Sequence, residues 1–158
     1  MLNSLHIENY VLIKKLDLNF ESGFSVITGQ TGAGKSILLG ALNLVLGARA
    51  ELKNIKEGAE KCIIEAVFDI ANYNIKDFFE ENELDYSTEC ILRREVSSSG
   101  KSRLFINDTP VNASILRTLA DQLIDVHSQH ENLLLRDNNF QLGVLDITAK
   151  NQELLDNY

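Results

Sequence analysis

Residues 29–36 read Gly-Gln-Thr-Gly-Ala-Gly-Lys-Ser, a complete G-x-x-x-x-G-K-[ST] phosphate-binding loop. Gly29, Gly32 and Gly34 carry no Cβ, so the backbone can wrap a phosphate and turn several N–H groups inward. Gln30, Thr31 and Ala33 fill the cradle between them. Lys35 is a point charge placed to reach the β- and γ-phosphates, and the Ser36 hydroxyl is a ligand for Mg²⁺. A helix starting here would set the positive end of its dipole beneath the anion. Such a motif becomes a site only between a strand and a helix. Residues 24–28, Phe-Ser-Val-Ile-Thr, predict a buried strand leading in. Residues 37–46 are apolar enough for a core helix, and Gly47 is placed to end it. The chain is therefore expected to bind a nucleoside triphosphate with Mg²⁺.

Hydrolysis asks for more, including an acidic residue for metal and water. Asp125 follows Leu123-Ile124 and Asp146 follows Leu142-Gly143-Val144-Leu145, but both are embedded in helical patterns and neither reads as an acidic strand. Guanine recognition is absent, since residues 74–77 give Asn-Ile-Lys-Asp in the wrong order. Residues 126–131, Val-His-Ser-Gln-His-Glu, form the next dense cluster. A zinc site would take His127, His130 and Glu131 but lacks a third His or Cys at usable spacing, so a polar loop is the stronger reading. Gln129 is the better candidate: a neutral amide on a loop can ligate Mg²⁺ or orient the attacking water. Arg93, Arg94, Lys101 and Arg103 gather on a predicted hairpin where they could touch DNA phosphates. Alternation splits them between faces, and an ordinary solvated hairpin is the stronger expectation.

The elements that must position these residues follow from pattern. At 158 residues, with 44% apolar and 24% charged content, the chain is one soluble globular domain. A net charge of −8 argues against a broad nucleic-acid-binding face. No secretory signal opens the chain, the longest apolar run is too short to span a bilayer, and Cys62 and Cys90 stand alone. The expectation is a cytoplasmic, reduced protein with no membrane partner. The first 28 residues read as three short strands feeding one sheet. Residues 62–70 predict a further strand, residues 75–82 a short helix capped by Asn74 or Asn72, and residues 90–106 a hairpin. Residues 107–110 make a turn around the only proline. Asn112 or Ser114 caps a helix with Ile115, Leu116, Leu119, Leu123 and Ile124 on one face, and residues 139–158 are helical again.

Taken together, these segments resemble the RecN family of bacterial DNA double-strand-break repair ATPases, related to SMC proteins and built on an ABC-type head. The resemblance runs from Leu5, Ile7, Asn9 and Tyr10 through the phosphate loop to Leu46-Gly47-Ala48-Arg49-Ala50 and Leu92-Arg93-Arg94. It continues through Ser102-Arg103-Leu104-Phe105-Ile106-Asn107 and residues 125–131. It implies an α/β P-loop fold of ABC/SMC-head type, first lobe only, with a mixed sheet and a β-rich edge. Residues 1–138 would be that lobe, and residues 139–158 the root of a coiled-coil helix. Gln129 would be the Q-loop glutamine that senses Mg²⁺ and the γ-phosphate.

The family's signature motif and acidic strand lie beyond the coiled coil, so the resemblance implies an amino-terminal piece that lacks ATP turnover alone. Implied partners are DNA ends, the carboxy-terminal half of the same protein, and a second copy joined through heads or coiled coil, in a nucleoid-associated setting. A nucleotide-gated clamp that tethers DNA is the alternative, and a small-molecule kinase is disfavoured by the lack of an Arg-rich lid. Gln30 stands where the family usually has Glu, Ser128 where it has Gly, and Asp108 where Gly follows Ile-Asn.

Overall fold

The computed structural model describes residues 1–28 and 32–126. The chain divides into two compact units, Met1–Asp125 and Val126–Tyr158. All elements below belong to the first. They are β1 (Leu2–Tyr10), β2 (Ile13–Asn19), α1 (Gly32–Val45), a short 3-10 turn (Leu52–Asn54), β3 (Lys61–Asp69) and α2 (Lys76–Glu81). Then come β4 (Glu89–Ser97), β5 (Ser102–Ile106), β6 (Thr109–Val111) and α3 (Ala113–Leu123).

The six strands form one sheet in the order β2-β1-β3-β4-β5-β6. Every pairing among them is antiparallel, where parallel pairs were also expected. Short connections explain most of this: tight turns join β1 to β2, β4 to β5 and β5 to β6, and a tight turn reverses the chain. The α/β class stands.

Alternation decides the faces. Leu5 and Ile7, then Cys62, Ile64, Ala66 and Phe68, then Cys90, Leu92 and Val96, then Leu104 and Ile106 all turn to the buried side. Ala41, Leu44 and Val45 of α1 and Leu116, Leu119 and Leu123 of α3 bury their faces in the same core. Burial pushes the Cys62 thiol up to about 11 and the Cys90 thiol up to about 12. Both are structural and inert near neutral pH, as their isolation in the sequence suggested.

Three local expectations fail. Residues 24–28 join no strand, and Phe24 is 92% exposed. A strand exists by pairing, and this segment pairs with none of the six, so composition alone did not make it one. The first 28 residues thus supply two strands. Helix α2 is preceded by Ile75 as N-cap with no side-chain bond, in place of Asn72 or Asn74; Ile75 and Phe79 are both buried in the core, so apolar burial and not a polar cap holds this end. Pro110 lies within β6, and the turn itself is Asn107-Asp108. As β6 closes the sheet, an edge position accommodates the missing N–H. Asn112 does cap α3, accepting from the Ile115 N–H at 3.0 Å.

Candidate functional site

Helix α1 begins at Gly32, so Gly32, Ala33, Gly34, Lys35 and Ser36 form its first turn and the start of its second. The leading N–H groups of a helix have no intrahelical acceptor, which makes this end a donor cluster for an anion. No acidic side chain occupies the first turn to compete. Gly34, Lys35 and Ser36 are exposed. A Cβ added at Gly34 would meet nothing within 4 Å, so the backbone there is open to close approach. These features fit a polyphosphate with its Mg²⁺. Gly29, Gln30 and Thr31 lie outside the described residues, as do His127, Ser128, Gln129, His130, Glu131, Asp146 and the helix expected over residues 139–158.

Lys35 also lines one end of a cavity of about 350 Å³ between α1 and the β1–β2 edge. Its other walls are aliphatic or aromatic, among them Leu2, Leu18, Phe20, Ile27, Leu38 and Leu42. The cavity exists because α1 is apolar on more than one side. Ala41, Leu44 and Val45 face the core, while Leu38, Leu39 and Leu42 remain half-buried. A helix apolar all round belongs in an interior, with layers on both sides.

Tyr10 anchors the core side. It is 6% exposed, and a Cβ built at Gly40 would lie 2.8 Å from its hydroxyl oxygen. Glycine at position 40 thus lets the tyrosine of the Asn9-Tyr10 pair seat against α1. Asn9 takes φ 55 and its Nδ2 donates to the Lys61 carbonyl at 3.1 Å, which bends β1 so that Tyr10 turns inward. Sequence reasoning missed Gly40, although a glycine inside an otherwise apolar helix is a signal of close approach.

The other candidates separate. Asp125 lies exposed just after α3 and is not on a strand, so the acidic-strand reading of that residue falls. The basic hairpin splits as alternation requires. Arg93 lies on the outer face, 2.8 Å from Asp108, within 4.0 Å of Glu65 and stacked over Phe105 at 4.6 Å. Arg94 points inward and is 6% exposed. Lys101 and Arg103 line a second cavity of about 280 Å³ with Lys61, Glu95, Ser97 and Ser99, where Lys61 pairs with Glu95 at 2.9 Å. This cavity shares no residue with the phosphate loop. Among the described residues no cluster of three or more His, Cys, Asp or Glu could hold a metal, and no helix is long and apolar enough to cross a membrane.

Comparison with known proteins bears on the same residues. A family described as AAA domain matches residues 4–156. DNA repair protein RecN of Haemophilus influenzae is 43% identical over 159 residues, covering 98% of this chain and 28% of that protein. RecN of Vibrio cholerae is likewise 43% identical over 156 residues, again with 28% of its length covered. The chain therefore spans less than a third of the curated relatives it matches, corresponding to their amino-terminal part. Among solved structures, a chain from work on ATP-driven dimerization and DNA-stimulated activation of SMC ATPases superposes with a TM-score of 0.67 at 18% identity, covering 91% of this chain and 96% of that one. At that identity the likeness speaks for the fold, that of an SMC-type head.

Proposed function

This chain belongs to the AAA domain family, and from that premise we propose that it is the ATP-binding lobe of an SMC-like ATPase head that acts in DNA double-strand-break repair and recombination. The observation that carries the reading is the start of α1, where Lys35 and Ser36 stand exposed on an acid-free helix N-terminus inside a complete phosphate-loop sequence. The 43% identity to proteins named for DNA repair directs the nucleotide to that task.

In this proposal the loop N–H groups of residues 29–34 hold the phosphates, and Lys35 offsets the charge on the β- and γ-phosphates. Ser36 and Gln129 would hold Mg²⁺, and Gln129 would also orient water toward the γ-phosphate. When bound, Mg²⁺ would supply positive charge to the phosphates. The carboxy-terminal half of the intact protein supplies the remaining catalytic groups. The exposed Phe24, Val26 and Ile27 support such a second layer, since apolar side chains left in water favour cover. ATP then joins two heads across DNA ends, and hydrolysis separates them, in the cytoplasm at the nucleoid. The 158-residue chain alone binds ATP without turning it over.

Calorimetric titration with ATP, with and without Mg²⁺, tests this. Lys35→Ala leaves the phosphate charge under-compensated and should weaken binding by about 2–4 kcal/mol. Unchanged affinity in that variant would remove the loop assignment. ATP hydrolysis by the chain that disappears with Lys35→Ala would show that its catalytic groups are already complete.

A further inference from the structure

The buried face of the sheet is apolar row by row, and one row is interrupted. Leu16, Ile7, Ile64, Arg94, Leu104 and Val111 lie side by side across the strands, so a guanidinium stands among aliphatic neighbours. Arg94 is the one polar residue in the described core, and its Nε and Nη1 have no hydrogen-bond partner among the described residues. The charge that bears on it has the same sign. Arg117 of α3, whose Nε donates to the Gly47 carbonyl at 2.9 Å, adds to burial in pushing the Arg94 pKa below its ordinary value. Arginine does not shed its proton to escape such a setting. A buried, unpaired cation is strongly unfavourable, and the usual remedy is an oxyanion.

We propose that Arg94, with Arg117 beside it, is a receptor for one carboxylate, donated by an Asp or Glu side chain of the carboxy-terminal half of the intact protein. The proposal rests on reading the chain as one lobe of a larger head. A side-chain carboxylate suits the place better than free phosphate. Arg94 is 6% exposed with its Nε and Nη1 buried, and an Asp or Glu brings an apolar stem to lie against Ile64 and Leu104. Planar guanidinium donors also match planar carboxylate oxygens. The receptor joins β4 to the carboxyl end of α1 through Arg117 and Gly47. An acid seated there would therefore bear on the helix that carries Lys35.

Arg94→Met keeps the length of the side chain and removes the charge, so its effect should change sign with context. In the 158-residue chain it should raise the thermal unfolding midpoint by a few degrees, because an unpaired charge is gone. In the intact protein it should lower the midpoint, because a carboxylate is then stranded; Arg94→Lys, which keeps charge without planar donors, should fall between. Sodium formate should stabilise the wild-type chain beyond sodium chloride of equal ionic strength, and the gain should vanish in Arg94→Met.

A chain destabilised or unfolded by Arg94→Met would mean that Arg94 is already satisfied, which overturns the proposal. A raised midpoint in both contexts would mean that no carboxylate arrives, and overturns it too. Stabilisation of the chain by inorganic phosphate through Arg94, with no loss in the intact variant, would assign a free anion instead. ATP affinity, measured through Lys35, reads the lobe assignment separately.

Discussion

Single residues do much of the shaping that motif letters only hint at. Asn107 takes φ 46 and Asp108 φ 65, so the two-residue turn between β5 and β6 is left-handed at both positions. That geometry accounts for the glycine usual after Ile-Asn in the family the chain resembles. Asp108 tolerates the conformation and gains an ion pair with Arg93 at 2.8 Å. Asn107 extends the sheet with its side chain, accepting from the Ile91 N–H at 2.8 Å and donating to the Asp85 carbonyl at 2.9 Å. The Ser-Arg-x-x-Ile-Asn segment therefore earns its asparagine structurally. Gly40 gives the sharper test. In an ordinary helix Gly→Ala gains about 1 kcal/mol of stability. Here the new methyl would press on the Tyr10 hydroxyl, and we expect Gly40→Ala to cost about 1 kcal/mol in urea unfolding instead. In a Tyr10→Phe background the same change should become stabilising. Additive effects of the two substitutions would show that the contact is not what keeps glycine there.

At the scale of elements, most of what the sequence could show was local. Strands β3, β4 and β5 and helix α3 lie within a residue or two of their expected bounds, because alternation and the Asn112 cap are written in consecutive residues. Even the inward turn of Arg94 was legible as the odd member of Cys90, Leu92 and Val96, although its charge argued for solvent. The segment before the phosphate loop was not legible, since strand formation depends on a neighbour that residues 24–28 do not name. Gln129 falls outside the described residues, so that half of the candidate site stays with the sequence reading.

The end of α1 was read correctly, and its geometry says why. Gly47 has φ 103; its N–H donates to the Leu44 carbonyl, and the Ala48 N–H reaches the Asn43 carbonyl at 3.0 Å. These two bonds are a Schellman closure. A Cβ at position 47 would stand 2.8 Å from Arg117 Cγ and 3.2 Å from Leu116 Cδ2. Gly47→Ala combines a strained backbone with displacement of α3, and should cost roughly 2–3 kcal/mol. A loss under about 0.5 kcal/mol in urea unfolding would mean that α1 and α3 are not held together through this turn.

For the molecule as a whole, the decisive feature is an exposed apolar segment in the residues that precede α1. The sheet covers Ala41, Leu44 and Val45, and the outer face of that sheet is polar, with Asp17, His6, Glu65 and Arg93 in one cross-strand row. At residues 24–27 the surface changes character. Phe24, Val26 and Ile27 are 92%, 66% and 47% exposed, and Ile27 also borders the cavity of about 350 Å³ between α1 and the β1–β2 edge. Apolar area left in water favours any contact that removes it, at about 25 cal/mol per Å². With a net charge of −8 opposing close approach, the apolar segment should still draw copies of the chain together as concentration and salt rise. Sedimentation velocity across a concentration series should therefore show self-association. Phe24→Ser combined with Val26→Ser should reduce it by at least about tenfold, equivalent to about 1.4 kcal/mol. Both side chains are exposed, so the unfolding midpoint should barely move. If the double variant associates as strongly as the parent chain, residues 24–26 are not the contact, and the case for a second layer over them weakens accordingly.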